Sequence, residues 1–494
     1  MPNGLAAIAT APRHFSKASK LNFLTRILPI ILSGFTVASF SLAQDDATVA
    51  QTACRIRVVD DQSGWPVPLV ELRTTNHVRF VSDNAGVIAI DDPSLLDREV
   101  YFSVVGHGYE VPADGFGFRG VRLTPRRGET RTVKVHRTAI AKRVGRLTGA
   151  GLFVESQKLG DHLDWHDAPI FGCDTVQNAV HRGKMYWAWG DTRIASYPLG
   201  IFAMTSGTTS TTPFRSLQPP LKPKFDLFLD PRGRPKGVAA FPGDGPTWLT
   251  GYVSLSDQDG KPHLVAFYRK IKGHLQTYEA GLCEWNDSTS EFEIVRTVWK
   301  ASEGGSPPSL AEEGHPAFWT DAEGTRWLLF GNPLPRIQVQ ANYEAWKDYE
   351  NWKTLTPQKT LRSADDDTQI VPHSGSIVWN AFRKRWVTVF MQKFGKPSAF
   401  GTLWYAEADS PMGPWGTAVE ILSHDNYTFY NPRLHPNVTP QSGSTLLFEG
   451  TYTAEFANHA EPTPYYDYNQ ILYRLDLDDP ALQPAQSSVH SLHP

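Results

Sequence analysis

Acidic and imidazole side chains recur in this sequence at one kind of position, the small or polar opening of a short apolar run. Asp174 stands in Gly172-Cys173-Asp174-Thr175, Asp244 in Gly243-Asp244-Gly245-Pro246-Thr247, and Glu313 with His315 in Glu313-Gly314-His315-Pro316. His373 opens His373-Ser374-Gly375-Ser376, and Asn431, Arg433 and His435 alternate in Asn431-Pro432-Arg433-Leu434-His435. Asp191 and Glu449 come with the runs that follow the first and last of these openings. Carboxyls in such company can divide acid and base work, one kept protonated to donate and another kept ionised to accept a proton or attack. Trp187, Trp189, Tyr430 and Tyr452 offer rings that could stack on a ligand, and the Arg433 fork suits a carboxylate or sulfate.

Each of these residues also has a structural use. Asp beside a turn bonds its own backbone, separated His residues are more often hydrogen-bonded structural groups than a shared metal site, and Trp and Tyr runs fill the wedges between sheets. No metal is assigned to His315, His373 and His435, and no cofactor is called for. The acidic run Asp365-Asp366-Asp367 reads as a solvated loop, with a structural calcium as the lesser alternative.

The elements that must bring these residues together are strands. Each opening is followed, after a turn, by an aromatic and β-branched run: 184–189, 263–268, 325–330, 385–390 and 444–449. Five units of roughly 60 to 70 residues are the size of four-stranded blades, and five of them close into a β-propeller whose leading strands converge on a central funnel. The run 470–477 is expected to complete the last blade with a strand from near 152–159. A pair of eight-stranded sandwiches is the alternative architecture. Closure favours the propeller because it removes exposed sheet edges.

Ahead of this region, residues 50–137 hold short strands at 55–59, 69–74, 78–81, 87–90, 100–105 and 132–136, separated by polar and Gly-containing turns, and so read as a small β-sandwich. Residues 138–150 read as a solvated linker helix, with Lys142, Arg143 and Arg146 at helical spacing, and 481–494 as a tail. The chain as a whole is therefore expected to be all-β, a small N-terminal β-sandwich plus a five-bladed β-propeller over 151–480.

Residues 1–43 carry Arg13, Lys17, Lys20 and Arg26, no acid, and a 16-residue apolar run at 27–42 ending in Ser41-Leu42-Ala43. This is the grammar of an export signal, too short and too rich in Ser and Gly for the alternative, a spanning anchor. Removal of its four cations would take the formal charge from -3 to -7. The balance of 48 basic against 51 acidic residues offers nothing to neutralise a phosphate backbone, so nucleic acid is not expected as a partner. An exported, periplasmic or extracellular protein with no integral membrane association after processing is the expectation. Cys54, Cys173 and Cys283 cannot build a disulfide framework; they leave room for one bridge, or for three buried small hydrophobes.

Two resemblances follow from these residues. Val58-Val59-Asp60, Ser63-Gly64-Trp65-Pro66-Val67-Pro68, Ser82-Asp83-Asn84-Ala85-Gly86 and Gly106-His107-Gly108-Tyr109 together resemble the carboxypeptidase regulatory-like, transthyretin-type sandwich, which implies a spacer or docking module without chemistry. Glu313-Gly314-His315-Pro316 resembles the Glu-Gly-Pro stretch of the five-bladed glycoside hydrolases of family 43, with His315 as an inserted departure. Asp409-Ser410-Pro411-Met412-Gly413-Pro414-Trp415 resembles that family's segment ending in Gly-Pro-Trp. Trp189-Gly190-Asp191-Thr192 and Phe448-Glu449-Gly450-Thr451-Tyr452 depart from its pattern.

The second resemblance implies hydrolysis of a polysaccharide or oligosaccharide, with Asp174 as general base, Glu313 as general acid, and Asp244 as the carboxylate that orients the acid and raises its pKa. Asp191, His315, His373, Asn431, Arg433, His435, Glu449, Trp189 and Tyr452 are then expected to bind substrate. A propeller that binds glycan or protein without turnover, and a polysaccharide lyase using Arg433 against a uronate, are the competing readings.

Overall fold

The computed structural model describes residues 52–211, 214, 218–308, 314–438, 443–458 and 461–490. The expected export signal and Glu313 lie outside the described residues. Nearly all regular structure is strand.

Strands form where the sequence alternates or runs apolar. Cys54–Asp60 alternates buried and less buried residues and pairs antiparallel with Val87–Ile90 and parallel with Thr130–Arg137, a sheet that Tyr109–Glu110 completes. A second sheet orders Arg79–Val81, Glu71–Thr74, Val100–Val105 and Gly120–Leu123. Ile56, Val58 and Val133 from the first sheet share one core with Leu72, Phe102 and Val104 from the second.

Besides a three-stranded sheet (Gly172–Cys173, Thr192–Ile194 and Tyr197–Ile201) and a two-stranded one (Leu361–Arg362 and Gln369–Ile370), the rest of the chain makes five four-stranded antiparallel sheets. They are led in order by Val176–His181, Thr247–Ser256, His315–Thr320, Pro372–Asn380 and Thr428–Leu434. Leading strands of consecutive sheets pack on one another. Arg433 Nη2 donates to the Asn178 carbonyl at 2.7 Å, joining the fifth leading strand to the first. The second strands lie where the aromatic runs predict, Lys184–Trp189 and Arg385–Gln392 among them. The leading strands therefore all open toward one face, as do the connections between second and third strands.

The basic stretch expected as a solvated linker helix is instead a strand. Lys142–Arg146 pairs with Asn469–Asp476 as the outer strand of the fifth sheet, and 154–157 is a short helix rather than the closing strand. Burial of Arg143 is tolerable because its guanidinium is chemically answered. Arg143 donates to the carbonyls of Pro68, Leu69 and His107 and to the Tyr473 hydroxyl, and lies over the Tyr109 and Tyr473 rings. Arg146 covers the Tyr466 ring, and Lys142 pairs with Asp476 at 2.8 Å. The expected tail also has structure: 483–490 is helical, and Leu482 and Ala485 are buried in the core beside the fourth and fifth sheets.

All three cysteines are buried and free, and burial pushes the thiols of Cys173 and Cys283 well above the ordinary value. No helix among the described residues is long and apolar enough to cross a membrane.

Candidate functional site

A cavity of about 410 Å³ opens where the leading strands begin. Asp174 and Thr175 enter it just ahead of the first leading strand, Trp248, Leu249 and Thr250 from the second, His373 from the fourth, and Thr428, Tyr430 and Asn431 from the fifth. Asp191 arrives just past the end of Lys184–Trp189, and Glu455, Phe456 and Tyr468 from the connection between the second and third strands of the fifth sheet.

Asp174 is held by two phenols. Tyr430 and Tyr468 each donate a hydroxyl to its Oδ2, at 3.0 and 2.9 Å. Burial, and after it the Asp174 charge, raises both phenols well above their ordinary range, so both stay protonated donors and Oδ2 is fixed as an acceptor. On the other side, Oδ1 abuts the Gly190 backbone, where a Cβ would collide with it. Gly190 is thus required by the carboxylate it faces. Backbone bonds from Asp174 N to Asp191 O at 3.1 Å and from Gly190 N to Asp174 O at 2.9 Å set the two acids on neighbouring strands against the same cavity.

Asp191 has the opposite environment. Burial pushes its carboxyl up to about 6, the Trp248 indole N–H bond at 3.3 Å pulls it down, and the Glu455 charge pushes it up again. Glu455 itself is bonded by Arg193 at 3.1 Å, and Arg193 also pairs with Asp467 at 2.6 Å while lying over the Tyr468 ring.

Backbone strain collects at the same place. Thr175 and Asn431 have φ of 35° and 50°, in the left-handed region that a β-branched residue such as Thr visits rarely. Asn431 Nδ2 donates to Thr175 Oγ1 at 2.7 Å, Thr175 N to Thr451 Oγ1 at 2.9 Å, and Asn431 N to Ser374 Oγ at 3.2 Å, which together hold the strained pair.

Of the residues singled out in the sequence, Asp174, Asp191, His373, Tyr430 and Asn431 meet in this cavity. Asp244 does not: it is exposed in a turn away from the lining, its carbonyl accepting the Tyr278 hydroxyl at 2.7 Å, so the strong Gly-Pro turn signal outweighed the functional one. Trp189 and Tyr452 are buried and unavailable to a ligand there. Trp189 stacks on Trp187 with rings 6.4 Å apart, and the Tyr452 hydroxyl bonds Thr463 at 3.0 Å.

His315, Arg433, His435 and Glu449 form a buried layer that is not part of the cavity lining. Arg433 Nη1 donates to His315 Nδ1 at 2.7 Å, Asn178 Nδ2 to His435 Nδ1 at 3.0 Å, and His435 Nε2 stands 3.1 Å from Glu449 Oε1. Burial lowers Arg433 to about 10 and, with the nearby Arg433 charge, holds His315 neutral. Arg433 and His315 instead line a cavity of about 330 Å³ at the opposite ends of the leading strands. Asp367 pairs with Arg362, and among the described residues no His, Cys, Asp and Glu group suits a metal ion.

Tyr468, Trp248, Glu455 and Gly190 are site residues that the sequence reading missed. The signal available for Tyr468 was its place in Tyr465-Tyr466-Asp467-Tyr468, a polar aromatic run in a connection rather than a strand. Gly190, between Trp189 and Asp191, had none.

No protein-family model matches the chain, and no curated protein matches it in sequence. Solved structures match loosely. An exo-1,5-α-L-arabinanase from a bovine ruminal metagenomic library is 14% identical over 63% of this chain and 94% of its own, with a TM-score of 0.36. An endo-arabinanase of family 43 from Bacillus licheniformis is 10% identical over 63% and 95%, with a TM-score of 0.35. An N-acetylgalactosamine deacetylase from F. plautii is 10% identical over 70% and 98%, with a TM-score of 0.39.

Proposed function

We propose that the chain is an exported glycoside hydrolase: a five-bladed β-propeller preceded by a small β-sandwich, cutting a glycosidic bond in the cavity at the opening of the leading strands. The observation that carries this is the division of the two acids. Asp174 accepts two phenolic hydroxyls on one oxygen, which suits an ionised base, whereas Asp191 is pushed up to about 6 and keeps a proton to give in mildly acidic solution. Carboxyls whose surroundings divide them in this way take base and acid roles. Asp174 then accepts the proton of an attacking water, the water oxygen bonds the anomeric carbon, and Asp191 donates its proton to the departing glycosidic oxygen.

Among the described residues no Lys or Arg lines the cavity. A uronate would find no counter-charge there, which weighs against a lyase. The bond that engages Asp191 comes from an indole N–H rather than a cation, which favours turnover over passive binding.

The test is hydrolysis of a panel of neutral polysaccharides and aryl glycosides. Asp174→Asn and Asp191→Asn are each expected to lower kcat by about 10²-fold or more, while Asp244→Asn changes it little. Full turnover by Asp174→Asn would overturn the proposal. Glu313→Gln separates the two candidate acids: loss there, with Asp191→Asn active, would move the acid role to Glu313.

A further inference from the structure

Asp174, Asp191, Tyr430, Asn431 and Tyr468 supply polar groups to the cavity. Its mouth is apolar. Leu275, at 67% exposure, and Phe456, at 63%, line the cavity, and Phe394, at 69%, lies with its ring 5.5 Å from Phe400 of the lining.

These three rim residues come from the connections between the second and third strands of the second, fourth and fifth sheets. Each also holds a left-handed backbone, with φ of 58°, 55° and 59°. A large apolar side chain gains nothing by standing in water, and a non-glycine residue is disfavoured at such φ. Finding both costs together at three separate loop tips around one mouth is not explained by packing, and strain of this kind collects at ligand sites. Sugar hydroxyls pressed against Leu275 and Phe456 would lose water without regaining hydrogen bonds; a hydrocarbon would lose nothing.

We infer that the glycoside taken by this site carries an apolar group, an acyl or alkyl chain on its leaving group or ring, that lies against Leu275 and Phe456. This rests on the glycosidase reading for the sugar and on the rim alone for the chain.

The test is binding to the Asp174→Asn protein, by titration calorimetry, of methyl, butyl and octyl glycosides of arabinose, xylose and galactose. Burial of hydrocarbon strengthens binding about fourfold per methylene, so octyl is expected to bind roughly 60-fold tighter than methyl if three methylenes are covered. Leu275→Ser and Phe456→Ser, at exposed positions that leave folding intact, should cut that ratio below about fivefold. Phe116→Ser, at a phenylalanine still more exposed in a turn of the N-terminal region, should leave it unchanged. Equal binding of methyl and octyl glycosides, or an unchanged ratio in the rim variants, would overturn the inference. Chain-length dependence without hydrolysis of any glycoside would sink the glycosidase reading alone, and hydrolysis without chain-length dependence would sink the inference alone.

Discussion

At the scale of single residues, the acid role proposed for Asp191 sets the expected pH dependence of turnover. Its carboxyl works as an acid only while protonated, and it is pushed up to about 6. Activity is therefore expected to fall as pH rises through about 6. A pH–rate profile still rising between pH 6 and 8 would contradict that role. The raised value has a matching stability sign: the fold binds this proton more tightly than the unfolded chain does, so the contribution is complete below about pH 4 and is lost as pH climbs through about 6. Tyr468→Phe removes one of two donors to the working carboxylate, and a hydrogen bond to a charged group is worth enough to cost about tenfold or more in kcat. An unchanged kcat in that variant would show that Asp174 does not depend on its phenols.

At the scale of elements, Gly190 ties strand geometry to the site. A Cβ there meets the Asp174 carboxylate, a side chain that can swing into the cavity, so Gly190→Ala should lower activity by about 10²-fold while the melting temperature moves by only a few degrees. A variant that loses stability and keeps activity would show that the strand, rather than the carboxylate, gives way. The strands themselves were legible because their pattern is local: Lys184–Trp189 and the other second strands announce themselves by aromatic density between turns. Asp174 was legible for the same reason, as a polar residue at such an opening. The strand Lys142–Arg146 was not. Its cations look solvated in sequence, and only partners from other elements, such as His107, Tyr473 and Asp476, make them stable inside. Asp191 was visible as a candidate but its raised carboxyl was not, because that is set by burial and by Trp248, neither of which spacing reveals. Tyr452 and Trp189 show the reverse error, since aromatic rings near an expected site are mostly core.

At the scale of the whole molecule, the two N-terminal sheets and the ring of sheets are joined through buried neutral imidazoles. His107 and His424 lie with rings 5.3 Å apart, and the Arg143 charge disfavours protonation of both. Burial takes His424 down to about 3 and His107 well below its ordinary value. Because the unfolded chain binds these protons more readily, their contribution is complete above about pH 6.5 and is lost as pH falls toward 3. Asp83 and Asp191, both raised to about 6, act in the opposite sense over the same descent until about pH 4. Melting temperature measured by scanning calorimetry should accordingly change little between pH 6 and 4 and drop from 4 to 3. A melting temperature that holds or rises down to pH 3 would mean that the imidazoles already carry their protons in the fold.

The pairing of Lys142–Arg146 with Asn469–Asp476 also sets an order in time. Asp174 is synthesised early, but Tyr468, one of its two phenols, and the strand that closes the last sheet come some three hundred residues later. A growing chain therefore carries Asp174 through all of that synthesis with the fifth sheet open and one of the two phenols still missing. On the proposed reading, a nascent chain turns over no substrate until Tyr468 has been made.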